Sequence, residues 1–443
     1  MKEILKTEGD VNLSEERLRW QQEEIVDAET KKLLKEDERL FLHQAMSTPC
    51  LDVLKGCSNA VIENLQGKEY LDFHGNNVHQ VGFSNDYVVE QIKKQLDELS
   101  FSTRRYTNKT AIHFADTLTS LLPKGLDRVL FAPGGTSVVS MALKLARVVT
   151  GKHKVISYWD SFHGASLDAI SAGGEAVFRQ HMGPMMPGVI RIPPPMNNGG
   201  FVDEMKSADY LEYVIEKEGG IGAFIAETVR NTDVQIPSTK YWKRVRDICT
   251  KNNVLLILDE IPIALGRTGK LFAFENFDIE PDILCLGKGL GGGIIPFAAM
   301  VCREEHNVAQ DISLGHFTHE KSPLGCAAAQ AVIDFIKSNN TLAKVEDDAT
   351  FMQKELYILK NKYPLIKFVR GVGLLWGLEL RTESDEAATD EAEKIMYHCL
   401  SLGLSFKVSQ GNVLQLSPAL TISREELQKA IQILDMAFAR LNN

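Results

Sequence analysis

Residues 254–262 read Val-Leu-Leu-Ile-Leu-Asp-Glu-Ile-Pro, and residues 286–293 read Leu-Gly-Lys-Gly-Leu-Gly-Gly-Gly. The first stretch is a short apolar run rich in branched side chains, which is typical of a strand buried on both faces. It ends in an acid, Asp259, and the second stretch places Lys288 among glycines directly after another apolar run. These stretches predict a parallel β-sheet whose strand ends carry reactive side chains.

Short β-rich runs alternate with helical stretches from about residue 74 to residue 330. Strands are predicted at 129–132, 154–158, 221–227, 254–259 and 283–286, and helices at 137–150, 211–218 and 242–252. This order predicts an α/β fold with a large, mostly parallel sheet and helices on both faces. Ligands of such sheets bind at the carboxyl ends of the strands, which is where Asp259 stands.

The two ends of the chain predict a second, smaller α+β domain. The expected elements are a charged helix at 14–46, a hairpin at 60–73, a strand at 371–380, and helices at 352–362, 391–402 and 424–441. The predicted domains are 1–74, an N-terminal helix and hairpin belonging to the small domain; 75–330, the large domain; and 331–443, the C-terminal α+β part of the small domain.

Composition limits the partners and the compartment. The 443-residue chain has a formal net charge of -10, which argues against nucleic acid or an anionic membrane as its main partner. Its seven cysteines are scattered and never spaced Cys-x-x-Cys, so we expect no metal site and a reducing compartment. Residues 1–40 are dense in Glu and Lys, so we expect no secretory segment and a cytoplasmic location.

Lys288 and Asp259 together indicate a cofactor. A deprotonated lysine amine is a nucleophile and can condense with an aldehyde to give a Schiff base. Pyridoxal phosphate uses such a lysine and needs an acidic partner for its ring nitrogen. A Gly-Lys-Gly segment alone is more often a surface turn, so the interpretation depends on the neighbouring segments.

Two further segments follow predicted strands. Gly134-Gly135-Thr136 precedes a predicted helix, so its backbone N–H groups could hold a phosphate; the alternative is a turn with a threonine cap. Phe162, in Phe-His-Gly, could stack on a planar ring or belong to the core. Both segments are expected at the same sheet edge as Asp259.

The ordered set of Gly-Gly-Thr, Phe-His-Gly, Glu227, Asp-Glu, Lys288 and Thr318 resembles the class III aminotransferases, a group of the fold type I pyridoxal phosphate enzymes. The resemblance covers nearly the whole chain from about residue 50. It implies the fold of that group, pyridoxal 5'-phosphate as cofactor, and a homodimer with shared active sites.

The resemblance also implies a role for each matching residue. Lys288 would form the Schiff base and move a proton, and Asp259 would pair with the pyridine nitrogen. Phe162 would stack on the ring, while Gly135 and Thr136 would hold the phosphate.

Two more positions carry over. Glu227, at the end of the strand predicted at 221–227, is a further expected cofactor-binding residue. Thr318, in Phe-Thr-His-Glu-Lys-Ser-Pro, matches a threonine that reaches the phosphate of the neighbouring subunit.

Three departures from the family pattern bear on the reaction. Ser137 stands where the family usually has glutamate, and Pro262 stands where a glutamine commonly contacts the cofactor's ring oxygen. Gln415 replaces an arginine that commonly forks onto a substrate carboxylate. The oxo-acid acceptor of a transaminase usually needs such a cation, and a charged hydrogen bond is worth about 1.5–3 kcal/mol. Gln415 therefore weakens the case for transamination.

Arg105 and Arg230 are the candidates for binding an anionic head group; for each, the alternative is a solvated or internally paired arginine. The resemblance, together with Gln415, implies an ammonia-lyase acting on a small aminophosphonate by proton abstraction, elimination and enamine hydrolysis. Three alternatives remain open. They are an ω-amine or aminophosphonate transaminase, a phospho-lyase acting on a phosphorylated amino alcohol, and a cofactor-binding protein without turnover.

Overall fold

The computed structural model describes residues 14–44, 49–196 and 202–441. The chain divides into two structural units. The larger comprises Asn85–Asn231 and Gln235–Leu342, and the smaller comprises the described residues up to Ser84, Thr232–Val234 and those from Ala343 onward. The domain boundaries proposed above, after residues 74 and 330, stay a prediction.

The N-terminal part of the smaller unit contains, in order, α1 (Glu15–Glu24), α2 (Ala28–Leu40), β1 (Leu54–Ser58), β2 (Val61–Asn64) and β3 (Glu69–Asp72). The single helix expected at 14–46 is wrong, and its last residues, 45 and 46, lie outside the described ranges. The helix is interrupted at Asp27, whose carboxylate accepts a hydrogen bond from the Thr30 N–H at 2.7 Å and caps α2. The hairpin expected at 60–73 is confirmed, because β2 and β3 pair antiparallel.

The larger unit contains the predicted strands and helices together with elements that were not predicted. They are α3 (Asp86–Glu98), α4 (Lys109–Ser120), β4 (Leu126–Ala132), α5 (Gly135–Thr150), β5 (Lys154–Tyr158), α6 (Leu167–Ala172), α7 (Ala176–Arg179), β6 (Val189–Ile192), α8 (Glu204–Glu218), β7 (Ile221–Glu227), α9 (Thr239–Asn252), β8 (Leu255–Asp259), β9 (Ile283–Leu286), β10 (Ala298–Arg303) and α10 (Pro323–Ser338). All five predicted strands are confirmed. Helices α8 and α9 begin earlier than expected, because Asp203 and Ser238 cap them.

One seven-stranded sheet organises this unit, in the order β4-β10-β9-β8-β7-β5-β6. Strand β10 runs antiparallel to both of its neighbours, and the other pairs are parallel. Every residue of β7, β8 and β9 is buried, so both faces of the sheet are covered. The predicted α/β class with a large, mostly parallel sheet is confirmed.

The register of the parallel strands sets the position of the site. Glu227 lies opposite Asp259 across β7 and β8, and Asp259 lies opposite Cys285 across β8 and β9. The carboxyl ends of these strands are therefore level. Lys288 follows shortly after Cys285, so the two acids and the lysine share one edge of the sheet.

The C-terminal part of the smaller unit contains α11 (Thr341–Lys362), β11 (Ile366–Val372), β12 (Leu375–Leu380), α12 (Thr389–Ser401), β13 (Leu404–Ser405), β14 (Lys407–Ser409), β15 (Val413–Leu416) and α13 (Arg424–Leu441). Its sheets have the orders β1-β2-β3-β13 and β11-β12-β15-β14. The strand expected at 371–380 is wrong, because Gly373, with φ 57°, turns the chain between β11 and β12. Within the described ranges, every helix is too short or too polar to span a membrane.

Candidate active site

Lys288 lies just past the end of β9. It begins a 3-10 helix, Lys288–Gly291, and its side chain is half-buried. Its φ is 45°, in the left-handed region that residues other than glycine seldom adopt. Strained residues of this kind are concentrated at functional sites, where the surrounding structure holds them in place. The backbone geometry thus agrees with a functional lysine.

Asp259 is held from two sides at the end of β8. Its Oδ2 lies 2.8 Å from Nδ1 of His163, and its Oδ1 accepts a hydrogen bond from the N–H of Ile261 at 3.1 Å. Because a carboxylate only accepts, the imidazole is the donor in the first contact. Both side chains are buried, so the carboxyl group is fixed in orientation and shielded from water.

Glu227 fixes the loop that carries Phe162. Its Oε1 accepts from the Phe162 N–H at 3.2 Å, and its Oε2 accepts from the Asn231 N–H at 3.1 Å. Burial raises the pKa of Glu227, and the negative charge of Asp259 raises it further. The contacts show Glu227 supporting the backbone of the Phe162 loop.

Replacing Glu227 by glutamine should weaken cofactor binding by about tenfold, because one of the two part-buried N–H groups held by this carboxylate loses its acceptor, which costs about 1–3 kcal/mol. Pyridoxal phosphate titration of the apoenzyme would measure the change. Glu218→Gln, at an exposed carboxylate paired with Lys154, is the matched control. Unchanged affinity in Glu227→Gln would contradict this role for Glu227.

The first turn of α5 offers donors to an anion. Gly134 caps the helix in an extended conformation and provides no side-chain acceptor. Within the described ranges, the N–H groups of Gly135 and Thr136 donate to no protein group. Unpaired N–H groups at a helix N-terminus bind phosphate well.

Thr136 also links this turn to the Phe162 loop. Its hydroxyl accepts from the Ser166 N–H at 3.1 Å and lies 2.6 Å from the Ser166 hydroxyl. Gly164 has φ 128°, and a Cβ at this position would lie 2.6 Å from the Thr136 hydroxyl oxygen. Only glycine allows this approach. The half-buried ring of Phe162 is 4.6 Å from the Phe178 ring, centroid to centroid.

These residues fit pyridoxal phosphate. Asp259 provides a buried acid for a ring nitrogen, and the start of α5 provides unpaired donors for a phosphate. Lys288, just past the end of the adjacent strand β9, provides the amine.

The remaining predicted residues lie in different environments. Thr318 is exposed on a turn, and Arg105 is exposed on another turn. Arg230 is buried near Glu227 and exchanges two backbone hydrogen bonds with Gln235. Gln415 is buried in β15 of the smaller unit, where the Ser409 hydroxyl lies 3.4 Å from its side-chain oxygen.

His163 and Ser166 are the functional residues that sequence reasoning missed. His163 touches the key carboxylate, and Ser166 joins the two loops. The Phe-His-Gly segment was the available signal for His163, since a polar residue in the loop that follows a buried strand needs a partner. The contact between Ser166 and Thr136 had no comparable sequence signal.

The family model described as aminotransferase class III matches residues 43–438. The chain belongs to the class III aminotransferase family. Among its relatives in this family, the (R)-1-hydroxy-2-aminoethylphosphonate ammonia-lyase of Vibrio splendidus is 54% identical, over 98% of this chain and 95% of that protein. The leucine/methionine racemase of Thermococcus litoralis is 33% identical, over 92% and 95% of the two chains.

Solved structures resemble the chain over nearly its whole length. The taurine:2-oxoglutarate aminotransferase of Bifidobacterium kashiwanohense, in complex with PLP and glutamate, has a TM-score of 0.87 and 25% identity, covering 93% of this chain and 98% of its own. A transaminase from the marine bacterium Virgibacillus also has a TM-score of 0.87, with 26% identity and coverages of 92% and 98%. The fold type I assignment is thereby confirmed. The names of the relatives include a lyase, a racemase and transaminases, so the family alone does not decide the reaction.

Proposed function

We propose that the protein is a pyridoxal phosphate-dependent ammonia-lyase that converts (R)-1-hydroxy-2-aminoethylphosphonate into phosphonoacetaldehyde and ammonia. The observation that carries the proposal is Gln415, a buried neutral amide where the family commonly has an arginine for a substrate carboxylate. A lyase needs no oxo-acid acceptor and therefore no such arginine. The 54% identity to a relative named for this reaction supports the same conclusion.

Pyridoxal phosphate, when bound, supplies an aldehyde for the substrate amine and a ring that withdraws electrons from the adjacent carbon. Asp259 would accept a hydrogen bond from the ring nitrogen and keep it positively charged. The contacts from His163 and Ile261 hold that carboxylate in one orientation. Thr136 and the first N–H groups of α5 would hold the phosphate, and Phe162 would pack against the ring.

Lys288 would act as the base. Once displaced by the substrate, its amine would remove a proton from the carbon that bears nitrogen. The hydroxyl on the neighbouring carbon then leaves as water, with a proton taken up. Return of the Lys288 amine to the cofactor would free the two-carbon enamine, which would take up one water and give phosphonoacetaldehyde and ammonia, so the net reaction would consume no co-substrate.

The residues that bind the substrate, the oligomeric state and the location of the protein are also proposed from the sequence and the family. Arg105 and Arg230 are proposed to bind the phosphonate, and Thr318 is proposed to complete the phosphate site of a second copy in a homodimer. A cytoplasmic location remains the expectation from the cysteine pattern.

Ammonia release by the holoenzyme tests the proposal. With (R)-1-hydroxy-2-aminoethylphosphonate as the only substrate, we expect stoichiometric ammonia and phosphonoacetaldehyde, and no stimulation by pyruvate or 2-oxoglutarate. Coupled assays for ammonia and for the aldehyde would follow the reaction. The enzyme without pyridoxal phosphate is the blank.

Other outcomes would point elsewhere. Strict dependence on an oxo acid would overturn the lyase proposal in favour of a transaminase. Release of inorganic phosphate from a phosphorylated amino alcohol, without turnover of the aminophosphonate, would identify a phospho-lyase instead.

A further inference from the structure

Two arginines lie against one tryptophan at the edge of the large sheet. The guanidinium carbons of Arg179 and Arg191 are 5.6 and 5.5 Å from the ring centroid of Trp159. The Trp159 ring is partly exposed, and both arginines are partly buried. Contacts of this length are cation–π interactions. The three residues, called here the Trp159 cluster, come from three separate segments of the chain.

Backbone carbonyls hold both guanidinium groups in place. Arg191 donates to the carbonyl oxygens of Ser171 and, through Nε at 2.8 Å, of Gly173. Arg179 donates through Nη2 to the Gly174 carbonyl at 2.8 Å. Each arginine keeps further N–H groups that none of these carbonyls uses. The cluster is therefore ordered before any ligand arrives, which reduces the entropy lost on binding.

Gly174 makes this arrangement possible. A Cβ at Gly174 would lie 2.2 Å from the Tyr158 carbonyl oxygen and 2.4 Å from the Asp160 nitrogen. A hydrogen bond from the Gly174 N–H to the Ser161 carbonyl, at 2.8 Å, holds the backbone of Gly174 against the segment that follows β5. The carbonyls that orient the arginines are thus fixed beside the end of β5.

In the part of the chain that the structure describes, neither Arg179 nor Arg191 forms an ion pair with a carboxylate. Burial, and to a lesser extent the charge of Arg179, lower the pKa of Arg191 to about 10. The two positive charges repel each other, and an anion bound beside both would relieve that repulsion.

The cluster lies at the same edge of the sheet as the candidate active site. Trp159 directly follows β5, and Arg191 is the next-to-last residue of the parallel strand β6. Phe178, adjacent to Arg179, packs on Phe162. An anion bound here would lie on the Phe162 loop and outside the phosphate site at α5.

We propose that Arg179, Arg191 and Trp159 form a binding site for a tetrahedral oxyanion, a phosphonate or phosphate group. Two guanidinium groups offer two positive charges and several N–H donors, which suit a dianion better than a monovalent ion. The oxyanion could be the head group of an arriving aminophosphonate or free inorganic phosphate. That the ligand is the aminophosphonate head group rests on the proposed function, whereas the binding of an oxyanion at this site does not.

Calorimetric titration of the holoenzyme with inorganic phosphate and with methylphosphonate tests the site. Saturating pyridoxal phosphate keeps the cofactor's phosphate site filled. We expect Arg179→Gln and Arg191→Met each to weaken oxyanion binding by about tenfold or more, since each removes a charged hydrogen-bond donor. Binding should also weaken with added sodium chloride. Arg191→Lys, which keeps the charge but loses the fork, should give an intermediate affinity.

Arg128→Met is the matched control, because Arg128 is exposed and paired with Glu304. Melting temperatures would show whether a variant has lost its fold; Arg179→Gln removes one hydrogen bond to a carbonyl and the contact with the Trp159 ring. The proposal would be overturned if Arg179→Gln and Arg191→Met bound phosphate and methylphosphonate as tightly as the wild type does. It would also be overturned if Arg128→Met lost as much affinity as these two variants.

Turnover separates the two sources. If the cluster receives the substrate head group, both variants raise KM for the aminophosphonate and leave kcat unchanged. If it binds free phosphate, KM is unchanged while phosphate affinity falls. Both results support the oxyanion site. If the lyase assay failed, the phosphate titration would still test this site, because it does not depend on turnover.

Discussion

Lys288→Ala should lower kcat by at least about 1,000-fold, because it removes both the covalent attachment of the cofactor and the base. The side chain begins at the end of β9, beside the strand end that carries Asp259. No other lysine is proposed for either role. The protein should still bind pyridoxal phosphate through the α5 turn and Asp259, but without a covalent bond.

Borohydride reduction distinguishes attachment from binding. In the wild type, reduction should attach the cofactor covalently to the peptide that contains Lys288, as measured by mass spectrometry. In Lys288→Ala no cofactor should be attached to that peptide. Lys243→Ala, at an exposed lysine paired with Asp278, is the control and should behave as wild type. Normal turnover in Lys288→Ala would show that another group is the base.

Asp259→Asn should reduce kcat by about 100- to 1,000-fold, in the range seen when one preorganised electrostatic contact is removed from an active site. The amide has nearly the same shape, but it carries no charge to hold the proton on the ring nitrogen. Its NH₂ group would also face the N–H of Ile261 or the ring of His163, both donors to the native carboxylate. The cofactor ring should therefore lose its positive charge more easily and be held less firmly in one orientation.

Two measurements check this result. The visible spectrum of the bound cofactor and its pH dependence should change in Asp259→Asn, whereas a purely structural defect would mainly lower the melting temperature. Asp282→Asn is the control: Asp282 precedes β9 at the opposite end of the strands and pairs with Arg246. Equal losses in the two variants would contradict the role of Asp259 in the reaction.

The sequence predicted the parts of the fold that local pattern controls. Five of the seven strands of the large sheet were found because each is a short apolar run bounded by polar or glycine residues. Strands β6 and β10 were missed; β10 follows a glycine-rich stretch without a break in hydrophobicity. Helices α1 and α2 were merged because a capping residue, Asp27, resembles any other acid in a charged segment.

The candidate site divides in the same way. Lys288, Asp259 and Glu227 could be placed because each stands at a predicted strand end, and parallel register brings such ends together. The pairing of His163 with Asp259 depends on how a loop folds back, which no periodicity encodes. Arg179 and Arg191 were not recognised at all, because only the sheet and the Gly174 contact bring them to Trp159.

The left-handed backbone conformation at Lys288 lowers the stability of the protein at the residue that its activity requires. An L-residue in that conformation costs roughly 1–2 kcal/mol relative to glycine, which adopts it freely. Selection for stability alone would therefore place glycine at 288, within a segment that is already rich in glycine. A lysine is retained there at a stability cost comparable to that of many destabilising point mutations. Screens for thermostable variants are thus biased towards replacing the residue on which turnover depends.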